Sequence, residues 1–124
     1  MFEGGKGHLL RCDIHDNKSI SVYISSGADP LVSECKIRNG ESSGVLCELK
    51  GKGRLERCEI FANGPAKHAG VLVLSAGDPT VVGCTIRDQR GFGVQVMSDA
   101  RGRANVDEDS CVFSNNAEGD VMRW

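Results

Sequence analysis

The sequence predicts an all-β fold, a single-stranded parallel solenoid of about five short coils. Three observations predict it. A cysteine is followed two residues later by a large apolar residue in Cys12-Asp-Ile14, Cys35-Lys-Ile37, Cys58-Glu-Ile60, Cys84-Thr-Ile86 and Cys111-Val-Phe113. Each pair is answered by a valine, Val22, Val45, Val71, Val94 and Val121, at distances of 10, 10, 13, 10 and 10 residues. The unit length is 23 residues, rising to 26 and 27 where loops lengthen, a period that marks stacked units each unable to bury its apolar face alone.

The elements follow in chain order. The chain opens in a glycine turn, Gly4-Gly-Lys-Gly7, and Cys12-Asp-Ile14 then starts the repeat. Apolar residues alternate after each valine, in Val22-Tyr-Ile24, Val45-Leu-Cys47, Val71-Leu-Val73 and Val94-Gln-Val96. Period-two spacing with β-branched residues reads as strand, and no segment repeats apolar residues at helical spacing. Asn17, Asn39-Gly40, Asn63-Gly64, Gly91 and Asn115-Asn116 punctuate the units, so each reads as three short strands joined by three bends. The repeat lengthens at Gly64-Pro-Ala-Lys-His68 and at Ser98–Asn105, predicting two longer loops that wall the same face. The residues 1–124 form one repeat domain, which ends at Val121-Met-Arg-Trp124 without an amphipathic capping helix; the expectation is a piece of a longer solenoid, or a unit that stacks end to end with another copy.

The residues resemble the right-handed parallel β-helix repeats. The shared pattern is Leu-x-x-Cys-x-Ile-x-x-Asn followed by Gly-Val-x-Val, as in Leu55-Glu-Arg-Cys58-Glu-Ile60-Phe-Ala-Asn63 and Gly70-Val71-Leu72-Val73. In most such repeats the inward turn position is an asparagine ladder; here a cysteine column, Cys12, Cys35, Cys58, Cys84 and Cys111, takes its place. The chain also alternates Gly5-Lys6-Gly7 and Gly51-Lys52-Gly53 with Asp29-Pro30 and Asp78-Pro79, which is similar to the β-helix modules of F-box-type ubiquitin-ligase adaptors. That resemblance implies substrate recognition by a non-catalytic module. The wider family implies alternatives, since β-helices also carry polysaccharide lyases, epimerases and glycosidases.

Composition narrows the function classes. With 40% hydrophobic and 26% charged residues and a net charge of −2, nothing electrostatic points to nucleic acid or an anionic membrane. No apolar run approaches a membrane span, and Met1-Phe-Glu-Gly-Gly-Lys has no signal-peptide core, so a cytoplasmic chain is expected. Cysteines repeating once per coil stack as neighbours roughly 5 Å apart, which favours a row of free thiols over a disulfide framework. No Cys-x-x-Cys pair is present and no histidine stands at ligand distance from a cysteine, so neither a metal nor another cofactor is expected. His8, His15 and His68 fall at turns or turn-flanking outward positions, with no serine or cysteine nucleophile placed beside them by the repeat.

Alternation identifies the candidate site. If the valine anchors point inward, Tyr23, Leu46, Leu72, Gln95 and Met122 point outward, with Ser25, Glu48, Leu74 and Met97 as a second column. In enzymes of the resembling family substrate lies along this strand's outer face. A glycosidase requires two carboxylates, and Glu48 alone falls there. Carbohydrate binding would call on aromatic platforms, yet aromatics are 5% of the chain. The expectation is therefore a non-enzymatic protein-binding stripe of exposed apolar side chains, flanked by loop residues Lys67, His68, Arg101 and Arg103. Its competing explanation is a stripe covered by an adjoining segment of the parent chain.

Overall fold

The structure, a computed structural model, describes residues 2–64, 68–97 and 103–123. Lys67, Arg101 and Trp124 lie outside the described residues. Sixteen strands succeed one another without a helix among the described residues. They are β1 (Phe2–Glu3), β2 (His8–Leu10), β3 (Asp13–His15), β4 (Val22–Ser25), β5 (Leu31–Ser33), β6 (Lys36–Arg38), β7 (Val45–Cys47) and β8 (Arg54–Glu56). The second half adds β9 (Glu59–Phe61), β10 (Val71–Val73), β11 (Thr80–Val82), β12 (Thr85–Arg87), β13 (Phe92–Val96), β14 (Asn105–Val106), β15 (Val112–Ser114) and β16 (Gly119–Met122).

Every third strand pairs in parallel. The first sheet runs β1-β4-β7-β10-β13-β16, the second β2-β5-β8-β11-β14 and the third β3-β6-β9-β12-β15. The chain is thus a three-sided parallel β-helix. Its registers are those the repeat predicts: Val22, Val45, Val71, Val94 and Val121 align across the first sheet, and Ile14, Ile37, Ile60, Ile86 and Phe113 across the third. The second sheet contributes Leu9, Val32, Leu55, Val81 and Val106. The middle members of these three columns are wholly buried, while Leu9, Ile14, Val106, Phe113 and Val121, in the outermost coils, are only partly covered.

Left-handed backbone at the corners turns the chain. Arg11, Glu34, Arg57 and Gly83 precede the cysteines at φ of 52, 54, 50 and 63°. Asp16, Asn39, Ala62, Asp88 and Asn115 close the third sheet at 57, 54, 56, 55 and 53°. A non-glycine residue costs roughly 1–2 kcal/mol in this conformation. The cost is tolerated because bend N–H groups donate to the next coil, as Arg11 does to Ser33 O at 3.0 Å and Glu34 to Glu56 O at 2.9 Å.

Candidate functional site

The three outer faces differ in chemistry. The third sheet carries an ion-pair ladder: Arg38 grips the Asp13 carboxylate at 2.9 and 3.0 Å, and Arg87 holds Glu59 at 2.8 Å while lying 4.2 Å over the Phe61 ring. The Arg38 hydrogen bond holds the Asp13 carboxyl below its ordinary pKa. The second sheet presents a mixed row, Leu31, Arg54, Thr80 and Asn105, beside His8. The corner between these two sheets stacks Arg11, Glu34 and Arg57, with guanidinium-to-carboxylate distances of 3.9 and 4.0 Å.

The first sheet's face is apolar. Tyr23, Leu46, Leu72, Gln95 and Met122 align in one register column, in the order expected. Their exposure corrects the sequence reading. Leu46 is buried, 7% exposed, because Tyr23 and Leu72 stand on strands only about 5 Å to either side of it. Tyr23, Leu72, Gln95 and Met122 are half-buried. In the second column Ser25 is also buried, at 2%, since a short hydroxyl does not reach past the flanking strands; its Oγ lies 3.2 Å from that of Ser26. Glu48, Leu74 and Met97 are half-buried. The Tyr23 hydroxyl donates to the Glu48 carboxylate, so Glu48 is engaged by its neighbour, while the exposed Asp120 on β16 is a second acid of this sheet. The stripe is a low, nearly uncharged surface and not a row of projecting side chains. The most exposed large apolar residues among those described lie elsewhere: Leu10, Leu49 and Val112. Alternation gave no sign of Leu49, which occupies a left-handed corner at φ 52° directly after Glu48.

The loop residues stand at opposite ends of the first sheet's strands. His68 precedes β10, and the exposed Arg103 follows β13, its N–H donating to Gly77 O at 2.8 Å. His68 is not isolated as expected: its Nδ1 lies 3.4 Å from Ser42 Oγ, because these residues occupy the same corner in successive coils. Among the described residues no carboxylate lies against the other nitrogen, and the pair reads as a polar corner contact.

The interior has two polar columns. Cys12, Cys35, Cys58, Cys84 and Cys111 occupy the corner between the second and third sheets, and the last four are buried. Each of these four donates to a carbonyl of the preceding coil, to Leu9 O, Val32 O, Leu55 O and Val81 O, at 3.5, 3.3, 3.4 and 3.7 Å. All six cysteines are free thiols. Burial pushes Cys35 above the ordinary thiol range and Cys47 up to about 11. The Cys84 thiol hydrogen-bonds Cys58, favouring thiolate on Cys58 and raising Cys84.

The second column revises the expectation of cysteine in place of an asparagine ladder, because an amide ladder is also present, at the corner between the third and first sheets. Asn63 Oδ1 accepts from Gly40 N at 3.1 Å, Gln89 Oε1 from Asn63 N at 3.1 Å, and Asn116 Oδ1 from Gln89 N at 3.1 Å. Their amide nitrogens donate to Ile37 O, Ile60 O and Ile86 O at 3.1, 2.7 and 3.1 Å. This ladder explains the glycine of the Gly-Val-x-Val pattern. A Cβ on Gly44, Gly70 or Gly93 would come within 3.0, 2.9 and 3.1 Å of the ladder's side chains and against the next coil's backbone.

Comparisons with known proteins complete the description. Neither the search of curated proteins nor that of solved structures returned a match. A family profile described as "Right handed beta helix region" matches residues 1–123, nearly the whole chain. With its three parallel sheets and stacked inward columns, the chain belongs to the right-handed beta helix family.

Proposed function

We propose that this chain is a non-catalytic scaffold that recognises a protein partner through the outer face of the first sheet, in the manner of the substrate-recognition modules of cytoplasmic ubiquitin-ligase adaptors. One observation carries the reading: of the three faces, the first sheet alone presents an apolar register column, Tyr23, Leu46, Leu72 and Met122, interrupted only by Gln95. Contiguous apolar surface of this kind commonly marks a partner site. Glu48, the acid beside this column, accepts from Tyr23, which supports binding over acid–base chemistry.

The test is affinity capture from cell lysate with the native chain, a Leu72→Lys variant and a Lys36→Ala control on the third sheet. Leu72 is the appropriate position because Leu46 is buried, and a charge there would threaten the fold. Proteins retained by Lys36→Ala and lost by Leu72→Lys support the reading. Equal capture by all three chains, with circular dichroism unchanged, rejects it and turns the question to glycan binding.

A further inference from the structure

The thiol column contains a reactive element that the binding proposal does not use. Cys12 and Cys35 occupy the same corner in successive coils, and Lys36 N donates to Cys12 O at 2.8 Å, which pins the two backbones side by side. In-register neighbours lie about 5 Å apart, inside the window of roughly 4.4–6.8 Å between Cα atoms that a disulfide spans. Cys12 is partly exposed, whereas Cys35 is 1% exposed beneath it. The partly exposed cysteine of the column is thus backed by a second one that solvent does not reach. Cys47 provides an internal reference: it is fully buried, its register neighbours are Ile24 and Val73, and its Sγ donates to Gly51 O at 3.1 Å.

We propose that Cys12 and Cys35 form an oxidisable pair in which Cys12 takes oxygen from hydrogen peroxide and Cys35 resolves it into an intrachain disulfide between adjacent coils. The Cys12 thiolate attacks one peroxide oxygen, forming an S–O bond as the O–O bond breaks and hydroxide leaves. Cys35 then attacks the Cys12 sulfenic sulfur, giving up its thiol proton as the S–S bond forms, the S–O bond breaks and a second hydroxide leaves. Two protons from the thiols convert both hydroxides to water. Each sulfur is oxidised by one electron, and the peroxide takes up both. The β-helix register holds the resolving thiol in place before oxidation, so the disulfide forms without rearrangement of the coils.

The experiment treats the purified chain with equimolar hydrogen peroxide, blocks remaining thiols by alkylation under denaturing conditions, and maps the peptides by mass spectrometry. The native chain is expected to yield a Cys12–Cys35 disulfide that dithiothreitol reverses, with Cys47 still alkylated. Cys12→Ser lowers disulfide yield roughly tenfold or more, because the accessible thiolate is gone. Cys35→Ser accumulates a Cys12 sulfenic acid that dimedone traps. Disulfides between chains, over-oxidation of Cys12 in the native chain, or loss of Cys47 at the same rate as Cys12 would each overturn the proposal. Circular dichroism of both variants confirms that an intact fold is compared, and a single-variant failure leaves the native map and the other variant decisive.

Discussion

Replacing Gln89 by leucine probes the interior most sharply. Gln89 is 2% exposed; its Nε2 donates to Ile60 O at 2.7 Å and its Oε1 accepts from Asn63 N at 3.1 Å. Both of those partners sit on fully buried residues. Leucine fills a similar volume but leaves the carbonyl of Ile60 and the N–H of Asn63 without their amide partner. Each orphaned group costs about 1–3 kcal/mol, and the added apolar burial returns part of that, so a net loss of about 2–4 kcal/mol is expected. With a urea m-value of about 1–3 kcal/mol/M, the midpoint falls by roughly 1–2 M at unchanged slope. Arg90→Ala, at the exposed neighbouring position, should stay within about 0.5 kcal/mol of the native chain. A Gln89→Leu loss below about 0.5 kcal/mol at unchanged slope would refute a dry, fully satisfied amide ladder.

The remaining predictions use the same structure. Gly70→Ala places a Cβ 2.9 Å from Gln89 Cδ and from Gly93 O, so thermal unfolding should show a loss of about 1–3 kcal/mol although the backbone there is not left-handed. Burial raises the folded-state pKa of Cys47 to about 11 from 9.0, so its contribution to stability is fully present below pH 9 and fades as pH rises through 11. Cys47→Val, which joins Ile24, Val73 and Val96 in their inward column, should therefore lose less stability than the native chain between those pH values in parallel denaturant titrations. Arg38→Gln removes the bidentate contact to Asp13 on an exposed face, where solvent screens the pair, and its urea unfolding midpoint should stay close to that of the native chain.

The sequence made the inward columns legible because they recur: the valines, the isoleucines and the cysteines return every 23 to 27 residues, and that return is the register seen in the sheets. The corners were less legible. Arg11, Glu34, Arg57, Leu49 and Ala62 adopt left-handed backbone that composition assigns to Gly or Asn, because stacked inter-coil hydrogen bonds override the local preference. The amide ladder escaped notice because its column reads Asn17, Gly40, Asn63, Gln89 and Asn116, in which one member lacks a side chain and another has a longer one. At the candidate site, alternation assigned Leu46 and Ser25 to the outer face but carried no sign of their coverage, and both are buried. Coverage depends on the size of neighbours one coil away, and a direction rule carries no information about them. The Ser42–His68 contact was hidden for a related reason, since the insertion before His68 shifts it out of the simple repeat spacing.

The most direct test of the recognition face places a photo-crosslinking amino acid at position 72, and in a separate chain at position 36, and irradiates each in cell lysate. The two positions lie on the first and third sheets of the same rigid solenoid. A face that recognises a protein gives a discrete adduct from position 72 and none of that mass from position 36. The same adduct from both positions, or adducts from position 36 alone, would contradict it.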